Sequence, residues 1–473
     1  MNTLFTGREK ELRLLRELRL QEQATIGVVY GRRRIGKSEL ITHAFSGERL
    51  LIFEGLENQN SEIQITTFLK QLESYFPEKQ VAQDKISGWY DALILLAKLT
   101  ANQSFVILFD EFQWLANYRT QLVSVLKLVW DQHLSKNRGL TLILCGSVAS
   151  FMVHKVVKSK AIYGRISQAI HLKQFKLKDT YNLLSRGPEE AILAQLLVGG
   201  VPGYLKLLST KGSVYLGVQE LAFEQNGYFT SEFERIFISQ FGRSHVYEQV
   251  IRTLGRHPQG LTRAELSREK ELSNGGSLSN YLFDLETAGL ITSFSPYTKS
   301  DRETSKIYLV TDPYIRLYLN FLEPHLTQIR SGKPNLFINL TGTPQFNSWL
   351  GLACEILCLE HSYELATLMG FSNVRYNSGP FFLTGQRNLK RGVQVDLVYK
   401  RMDRVLTVCE IKYRSSALSA SVIEEVDRKV ELLPKKGNLT IQKALITKEK
   451  VSSEILKRGY FSHIVTLDQL ISV

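Results

Sequence analysis

Eight residues, Gly31-Arg32-Arg33-Arg34-Ile35-Gly36-Lys37-Ser38, constrain the fold of this chain more than any other stretch. An apolar, β-favouring run from Ile26 to Tyr30 enters them, and a segment of helical character, Glu39 to Ala44, follows. Two glycines that bracket four residues and precede Lys-Ser make the phosphate-binding loop pattern. Its chemistry is local: backbone N–H groups of the loop and the helix N-terminus face phosphate oxygens, where the helix dipole favours negative charge. Lys37 then reaches the terminal phosphates and the Ser38 hydroxyl suits Mg²⁺. A plain glycine turn between a strand and a helix is the competing reading.

Such a loop works with acids at the carboxyl ends of neighbouring strands. Phe105 to Phe109 reads as a buried strand and delivers Asp110 and Glu111 at its end, the edge of an open α/β sheet where ligands bind. Asp110 suits a Mg²⁺ held through water, and Glu111 suits orienting or deprotonating the attacking water. Solvated strand termini are the alternative. A further strand, Leu140 to Cys145, ends in Gly146-Ser147, where Ser147 either senses the terminal phosphate or is an ordinary loop residue. Ile162-Tyr163-Gly164-Arg165 precedes a strand expected over 167–172. Arg165 is a candidate arginine finger, in cis or from a neighbouring subunit, because spread transition-state charge rewards a planar cation. A surface loop arginine competes with that reading. At the start of the chain, Thr6 is the expected N-cap, with Glu9 as its capping-box partner, of a helix built on Leu12, Leu15 and Leu18. That leaves the Gly7-Arg8 pair unexplained.

A chain of 473 residues accommodates about three domains. Lys and Arg number 59 against 46 Asp and Glu, a net charge of +13 that suits a polyanion, nucleic acid first, although solubility alone tolerates it. No run of about eighteen uncharged apolar residues is present, so no membrane span is expected. The first residues lack a signal-peptide layout, which leads us to expect a cytoplasmic protein. Four cysteines make no disulfide framework. Cys354 and Cys358, one helical turn apart in an apolar segment, read as core residues rather than metal ligands.

Residues 178–240 read as helices interrupted by Gly199-Gly200-Val201-Pro202-Gly203-Tyr204, as in a small helical lid. Taken in order, Gly7-Arg8-Glu9, the phosphate loop, strand-Asp110-Glu111, strand-Gly146-Ser147, Tyr163-Gly164-Arg165 and Gly199-Gly200-Val201-Pro202 resemble the archaeal-type AAA+ ATPases, relatives of the STAND and origin-recognition-type ATPases. The resemblance covers residues 1–240. It implies an ATP site in which Gly31, Arg34, Ile35, Gly36, Lys37, Ser38 and Glu39 surround the nucleotide and Ser38 and Asp110 hold Mg²⁺. It further implies that Arg8 lies near the base pocket, that Ser147 is sensor 1, and that Gly200 and Pro202 belong to the lid motif. Homo-oligomers formed through the ATPase domain fit the same resemblance.

Downstream, the pattern predicts a helix over 246–256, a second opened by Thr262 with Glu265 as its box partner, and a third from Ser277 to Glu286. Strands over 290–294 and 306–310 then flank a polar, basic loop. Helix–helix–turn–helix–hairpin is the winged-helix arrangement, whose third helix enters a DNA major groove or contacts protein. Ser277, Ser279 and Asn280 are the candidate groove contacts, and Lys299, Arg302 and Lys306 the candidate wing contacts. The segment Thr311-Asp312-Pro313-Tyr314-Ile315-Arg316-Leu317-Tyr318 resembles the one that joins the winged helix of these ATPases to a C-terminal domain.

A second chemical site is written near the C-terminus. Gln394 to Tyr399 and Val405 to Tyr413 read as two strands joined by a short polar turn. Glu410 and Lys412 project from one face of their strand, and a hairpin brings Asp396 beside them. Two carboxylates hold a divalent cation, and a lysine steers water or stabilises developing phosphate charge. Asp396, thirteen intervening residues and Glu-x-Lys resemble the PD-(D/E)XK nuclease core. The order of elements fits: helix 349–360, strand near 373–376, hairpin, helix 422–433, strand 439–446. The resemblance implies Glu355 as a further metal ligand. A salt-bridged exposed hairpin, or the same fold with catalysis lost, remains open.

The expected architecture is therefore multidomain α/β. Residues 1–175 form a P-loop AAA+ α/β sandwich, 176–240 a helical lid, 241–330 a winged helix and 331–473 a restriction-endonuclease-like domain. The expected function is ATP- and Mg²⁺-dependent action on duplex DNA, with Lys37, Ser38, Asp110 and Glu111 serving ATP hydrolysis and Asp396, Glu410 and Lys412 serving phosphodiester cleavage. The rivals are a STAND-like regulatory switch whose C-terminal domain binds without cleaving, and a protein-remodelling ATPase.

Overall fold

The computed structural model describes residues 5–78, 86–119, 121–242, 244–269, 272, 277–295, 306–383, 393–414, 418–433 and 439–473. Two compact units emerge, residues 1–173 with 235–244 and residues 174–234 with 245–473. No helix among the described residues is long and apolar enough to cross a membrane.

In the first unit β1 (Thr25–Tyr30), β2 (Leu50–Glu54), β3 (Phe105–Asp110), β4 (Leu140–Gly146) and β5 (Ile166–His171) form a parallel sheet in the order β2-β3-β4-β1-β5. The continuous apolar runs are explained by burial on both faces, as parallel sheets require. Alternation along β3 divides them. Phe105, Ile107 and Phe109 join one core with the helices Ser61–Tyr75, Trp89–Thr100 and Gln121–Gln132. Val106 and Leu108 join the other with α1 (Glu9–Arg19) and α2 (Lys37–Ala44). This order places the end of β4 between the loop after β1 and the acids after β3.

The start of α1 corrects the capping expectation. The helix begins at Glu9, its N-cap is Arg8, and no side chain caps it. Gly7 and Arg8 take φ of 71° and 68°, which turns the Arg8 side chain inward instead of presenting Thr6 to the helix. The Gly-Arg pair therefore serves an inward-facing arginine.

In the second unit the helices Leu177–Leu184, Pro188–Leu197, Pro202–Ser209 and Val214–Ala222 replace the broad helical region read from sequence. Gly200 is required there by close approach, since a Cβ would lie 2.0 Å from the Phe175 carbonyl oxygen. The helices His245–Gly255, Arg263–Leu266 and Leu278–Thr287 follow, with the Thr262–Glu265 capping box formed. A three-stranded antiparallel sheet, β6 (Leu261–Thr262), β8 (Ile307–Val310) and β7 (Ile291–Phe294) in that order, accompanies them.

The last part of this unit holds a five-stranded mixed sheet, β13 (His463–Thr466), β12 (Thr440–Thr447), β11 (Val405–Lys412), β10 (Val393–Arg401) and β9 (Tyr376–Leu383) in spatial order. β9, β10 and β11 pair antiparallel, and β11, β12 and β13 pair parallel. The helix Ser421–Glu431 makes the crossover from β11 to β12 and buries Val422, Ile423 and Val426. The long helix Pro344–Glu360 precedes the sheet and buries Cys354 and Cys358, as expected of core residues. The strand expected near 373–376 instead begins at Tyr376.

Candidate functional site

At the end of β1 the chain turns at Gly31, whose φ of 153° and whose approach to the Leu172 carbonyl exclude a side chain. The loop then closes at Gly36, the left-handed N-cap of α2, so that helix begins at Lys37. Lys37 is buried and donates to the carbonyls of Gly31 (3.1 Å) and Arg32 (3.2 Å). Its ammonium is folded over the loop, where phosphate oxygens would replace those carbonyls. Ile35 is buried, while Arg34, Ser38 and Glu39 are exposed at the loop and the first turn.

The two acids meet this loop from β3. Ser38 Oγ donates to Asp110 Oδ2 at 2.6 Å, and Asp110 Oδ1 accepts the Glu111 N–H at 2.9 Å. A hydroxyl and a carboxylate oxygen side by side are the donor set a Mg²⁺ at a phosphate loop uses. Glu111 lies in the left-handed region at φ 47°, a strained placement of the kind that clusters at functional sites. Its Oε2 accepts from the Gln113 amide (2.6 Å), the Ser147 hydroxyl (2.6 Å) and the Ser147 N–H (3.2 Å). Ser147 thus bridges β4 to the acidic pair. Glu54, beside Asp110 in register, has its carboxyl raised by partial burial and then by the charges of Asp110 and Glu111.

Arg8 is brought to the loop as well, with Nη2 donating to the carbonyls of Lys173 (2.5 Å) and Ile35 (3.5 Å). Arg165 is held elsewhere: Nε and Nη2 pair with Asp131 at 2.5 and 2.7 Å, and Nη1 donates to the Ala161 carbonyl. That bidentate pair holds the Asp131 carboxyl down at about 2. Pro202 opens the helix Pro202–Ser209 in the second unit, and Gly200 N–H donates to Gln174. Two glutamines went unnoticed in sequence. Gln113 is fully buried beside Glu111 and Ser147, and Gln240 donates to the Ser147 carbonyl at 2.8 Å. Position two after the acids was a readable signal for the first; nothing local marked the second.

In the second unit β10 and β11 pair with Leu397 opposite Cys409, and Asp396 Oδ2 accepts the Ile411 N–H at 2.9 Å. A register shift between β10 and β9 falls between Val395 and Val398, so a bulge sits at Asp396, a device that re-aims side chains near functional sites. Asp396 and Glu410 are 7% and 1% exposed. Lys412 pairs with Glu410 at 2.7 Å and with Glu425 at 3.0 Å. Lys429 donates to both Glu410 oxygens, at 2.8 and 2.7 Å, and pairs with Glu425 at 3.3 Å. Lys429 and Glu425 were missed in sequence, although their spacing of four on one helix marks a shared face.

Glu355 accepts from the Gln394 amide at 3.2 Å. Burial, followed by the charges of Asp396 and Glu410, pushes its carboxyl up to about 8, against the pull of the two lysines. Burial also raises the Asp396 and Glu410 carboxyls. Lys412 ends above its ordinary value: burial pulls it down, and Glu410 and Glu425 together outweigh burial. No group of three or more His, Cys, Asp or Glu side chains among the described residues is arranged to hold a metal. The lysines turn Glu410 toward themselves, and Glu355 bonds Gln394 instead of closing a triad.

Of the candidate DNA contacts, Ser277, Ser279, Asn280 and Lys306 are exposed. Ser279 Oγ accepts from Arg263 at 2.7 Å. Lys299 and Arg302 lie outside the described residues.

Residues 5–208 match the model of a family described as an ATPase domain predominantly from Archaea. An uncharacterized protein of Methanocaldococcus jannaschii is 24% identical over 417 residues, 87% of this chain and 88% of that protein. The Walker-type ATPase of Pyrococcus abyssi is similar at 20% identity and a TM-score of 0.48, over 67% of this chain and 96% of that one. The Aeropyrum pernix ORC2 protein, solved in ADPNP–ADP complexes, gives 17% identity and a TM-score of 0.44 over 72% of this chain and 96% of its own. The similarity to that archaeal ATPase domain spans residues 5–208, less than half of the chain.

Proposed function

We propose that this protein binds and hydrolyses ATP at the Gly31–Ser38 loop and uses the nucleotide state to control its engagement with duplex DNA. The observation that carries the reading is the chain of contacts from Ser38 to Asp110 and from Glu111 to Ser147. In it the loop hydroxyl, the acid pair and a sensor-placed serine occupy adjoining strand ends. Lys37 neutralises the terminal phosphates, Glu111 orients the attacking water, and Ser147 holds Glu111 until the nucleotide is seated. Mg²⁺ held by Ser38 and Asp110 would offset the phosphate charge. Arg165 serves as an arginine finger once released from Asp131. Oligomers formed through the ATPase domain present it to a neighbouring site.

The helices and hairpin of 241–330 act as a winged helix, with Ser277, Ser279, Asn280 and Lys306 facing DNA; Lys299 and Arg302, outside the described residues, are further candidate DNA contacts. Residues 176–240 form the lid, with Pro202 in its motif. Residues 331–473 act as a nuclease-like module. The charge of its cluster supports this: with the Glu355 carboxyl pushed up to about 8 and so neutral, Asp396, Glu410 and Glu425 against Lys412 and Lys429 leave one negative charge, which a divalent cation offsets. When bound, that cation would activate water toward phosphorus. Asp396 and Glu410 would hold it, with Glu355 close by, and Lys412 would stabilise the developing phosphate charge.

The test is electrophoresis of plasmid and linear DNA after incubation with Mg²⁺ and ATP, ADP or no nucleotide. Wild type should nick DNA in a nucleotide-dependent way, and Asp396→Ala and Lys412→Ala should not. Retarded but uncut DNA would establish the STAND-like switch instead. No affinity for DNA even at low salt, where phosphate contacts are strongest, would overturn DNA as the partner.

A further inference from the structure

Ser147 has a backbone N–H, a hydroxyl and a carbonyl, and each is engaged. The N–H and the hydroxyl donate to Glu111 Oε2 at 3.2 and 2.6 Å, and the carbonyl accepts from Gln240 Nε2 at 2.8 Å. A residue's backbone has only two soft torsions. Bonds to the N–H on one side and to the carbonyl on the other fix both, and with them the direction in which the side chain leaves the backbone. Gln113 Nε2 then steadies the hydroxyl at 3.1 Å. Ahead of Ser147 the strand end is closely packed, since a Cβ at Gly146 would lie 2.5 Å from Met152 Sδ and 2.8 Å from Gln113 Oε1. Packing therefore holds Ser147 on its amino side, and Gln240 holds it on its carboxyl side.

Gln240 comes from an element remote in sequence, the last turn of the helix Glu232–Phe241. Phe233, Ile236 and Phe237 are buried along that helix, and Gln240, one turn beyond Ile236, is buried with them. An amide in such a place costs free energy unless it is bonded, and methionine would pack there without that cost. What the amide supplies is the bond to Ser147. The bond matters because of what lies beyond it. Glu111 stands at φ 47°, and a non-glycine residue keeps that backbone only while its surroundings hold it. Ser147 and Gln113 are those surroundings for the carboxylate.

We propose that Gln240 is a positioning residue for ATP turnover: through the Ser147 carbonyl it sets the Ser147 N–H and hydroxyl, and through them the Glu111 carboxylate, a role that rests on the reading of Gly31–Ser38 and Glu111 as an ATP-hydrolysing site. The test is steady-state phosphate release beside nucleotide titration of the full chain in wild type, Gln240→Met, Glu111→Gln and the double variant. Gln240→Met keeps the length of the side chain and cannot donate. It should lower kcat at least tenfold, since a misplacement of about 1 Å costs on the order of a hundredfold, and it should leave ATP affinity at the wild-type value. In the Glu111→Gln background it should make no further difference, because residues that act as a unit are not additive. Should Gln240→Met not fold, Gln240→Glu, which keeps the shape and when ionised cannot donate, decides by the same fall in kcat at unchanged affinity. The proposal is overturned by unchanged kcat in the folded variant, by ATP affinity falling in step with kcat, or by a full further drop in the double variant, the marks of a residue that only packs. A wild type without turnover, matched by every variant, overturns the ATP reading itself and the role of Gln240 with it.

Discussion

Acid should weaken the second unit through one residue, His361. The ring sits 2% exposed at the end of the long helix, where Nε2 accepts the Leu177 N–H at 3.1 Å and Nδ1 donates to the Leu357 carbonyl at 2.9 Å. Both nitrogens are committed to the neutral ring, and a second proton would face the Leu177 N–H. Burial, then the Lys176 ammonium, lowers its pKa to about 3 from the ordinary 6.5. The unfolded chain therefore binds the proton first: the stability is complete above pH 6.5 and is lost as pH falls toward 3. At pH 5 the loss from this group is about 2 kcal/mol, steepening toward about 1.4 kcal/mol per pH unit. Urea unfolding of wild type and His361→Gln at pH 8 and pH 5 reads it, since glutamine can accept from Leu177 and donate to Leu357 at every pH. The wild type should lose about 2 kcal/mol more than the variant between the two pH values. Equal losses would refute the assignment of a neutral, doubly bonded ring.

Gly31→Ala should weaken nucleotide binding at least tenfold in a fluorescent-nucleotide titration and lower the melting temperature, because its Cβ would stand 2.4 Å from the Leu172 carbonyl; full affinity would contradict the close approach. Lys429→Met strands the Glu410 carboxylate with one cation and should cost about 3–5 kcal/mol in urea unfolding. The double variant Lys429→Met/Glu410→Gln should recover at least half of that, and a single variant as stable as wild type would show that Lys412 alone neutralises Glu410.

The first unit was legible because its strands are short apolar runs that end in chemistry. Asp110, Glu111 and Ser147 were placed by position alone, and parallel strand order then made them neighbours. The Asp396–Glu410 pairing was legible for a related reason, since a short turn leaves few registers. What escaped were contacts that depend on two elements far apart in sequence. The cap was credited to Thr6 because the capping pattern is local, whereas the helix opens at Arg8, whose guanidinium reaches the carbonyls of Ile35 and Lys173. Asp131 gave no sign that it would hold Arg165, and Gln240 reaches Ser147 only because residues 235–244 return to the first unit. Asp396 also sits at a bulge that alternation cannot announce.

ATP turnover at the loop is the claim on which the functional reading rests, and phosphate release beside nucleotide binding in wild type, Lys37→Ala and Glu111→Gln tests it directly. Wild type should bind ATP and release phosphate. Lys37→Ala should bind about ten- to a hundredfold more weakly, the loss of one charge-assisted contact. Glu111→Gln should bind as wild type and turn over about a hundredfold more slowly or worse. Equal turnover in all three proteins would contradict the account.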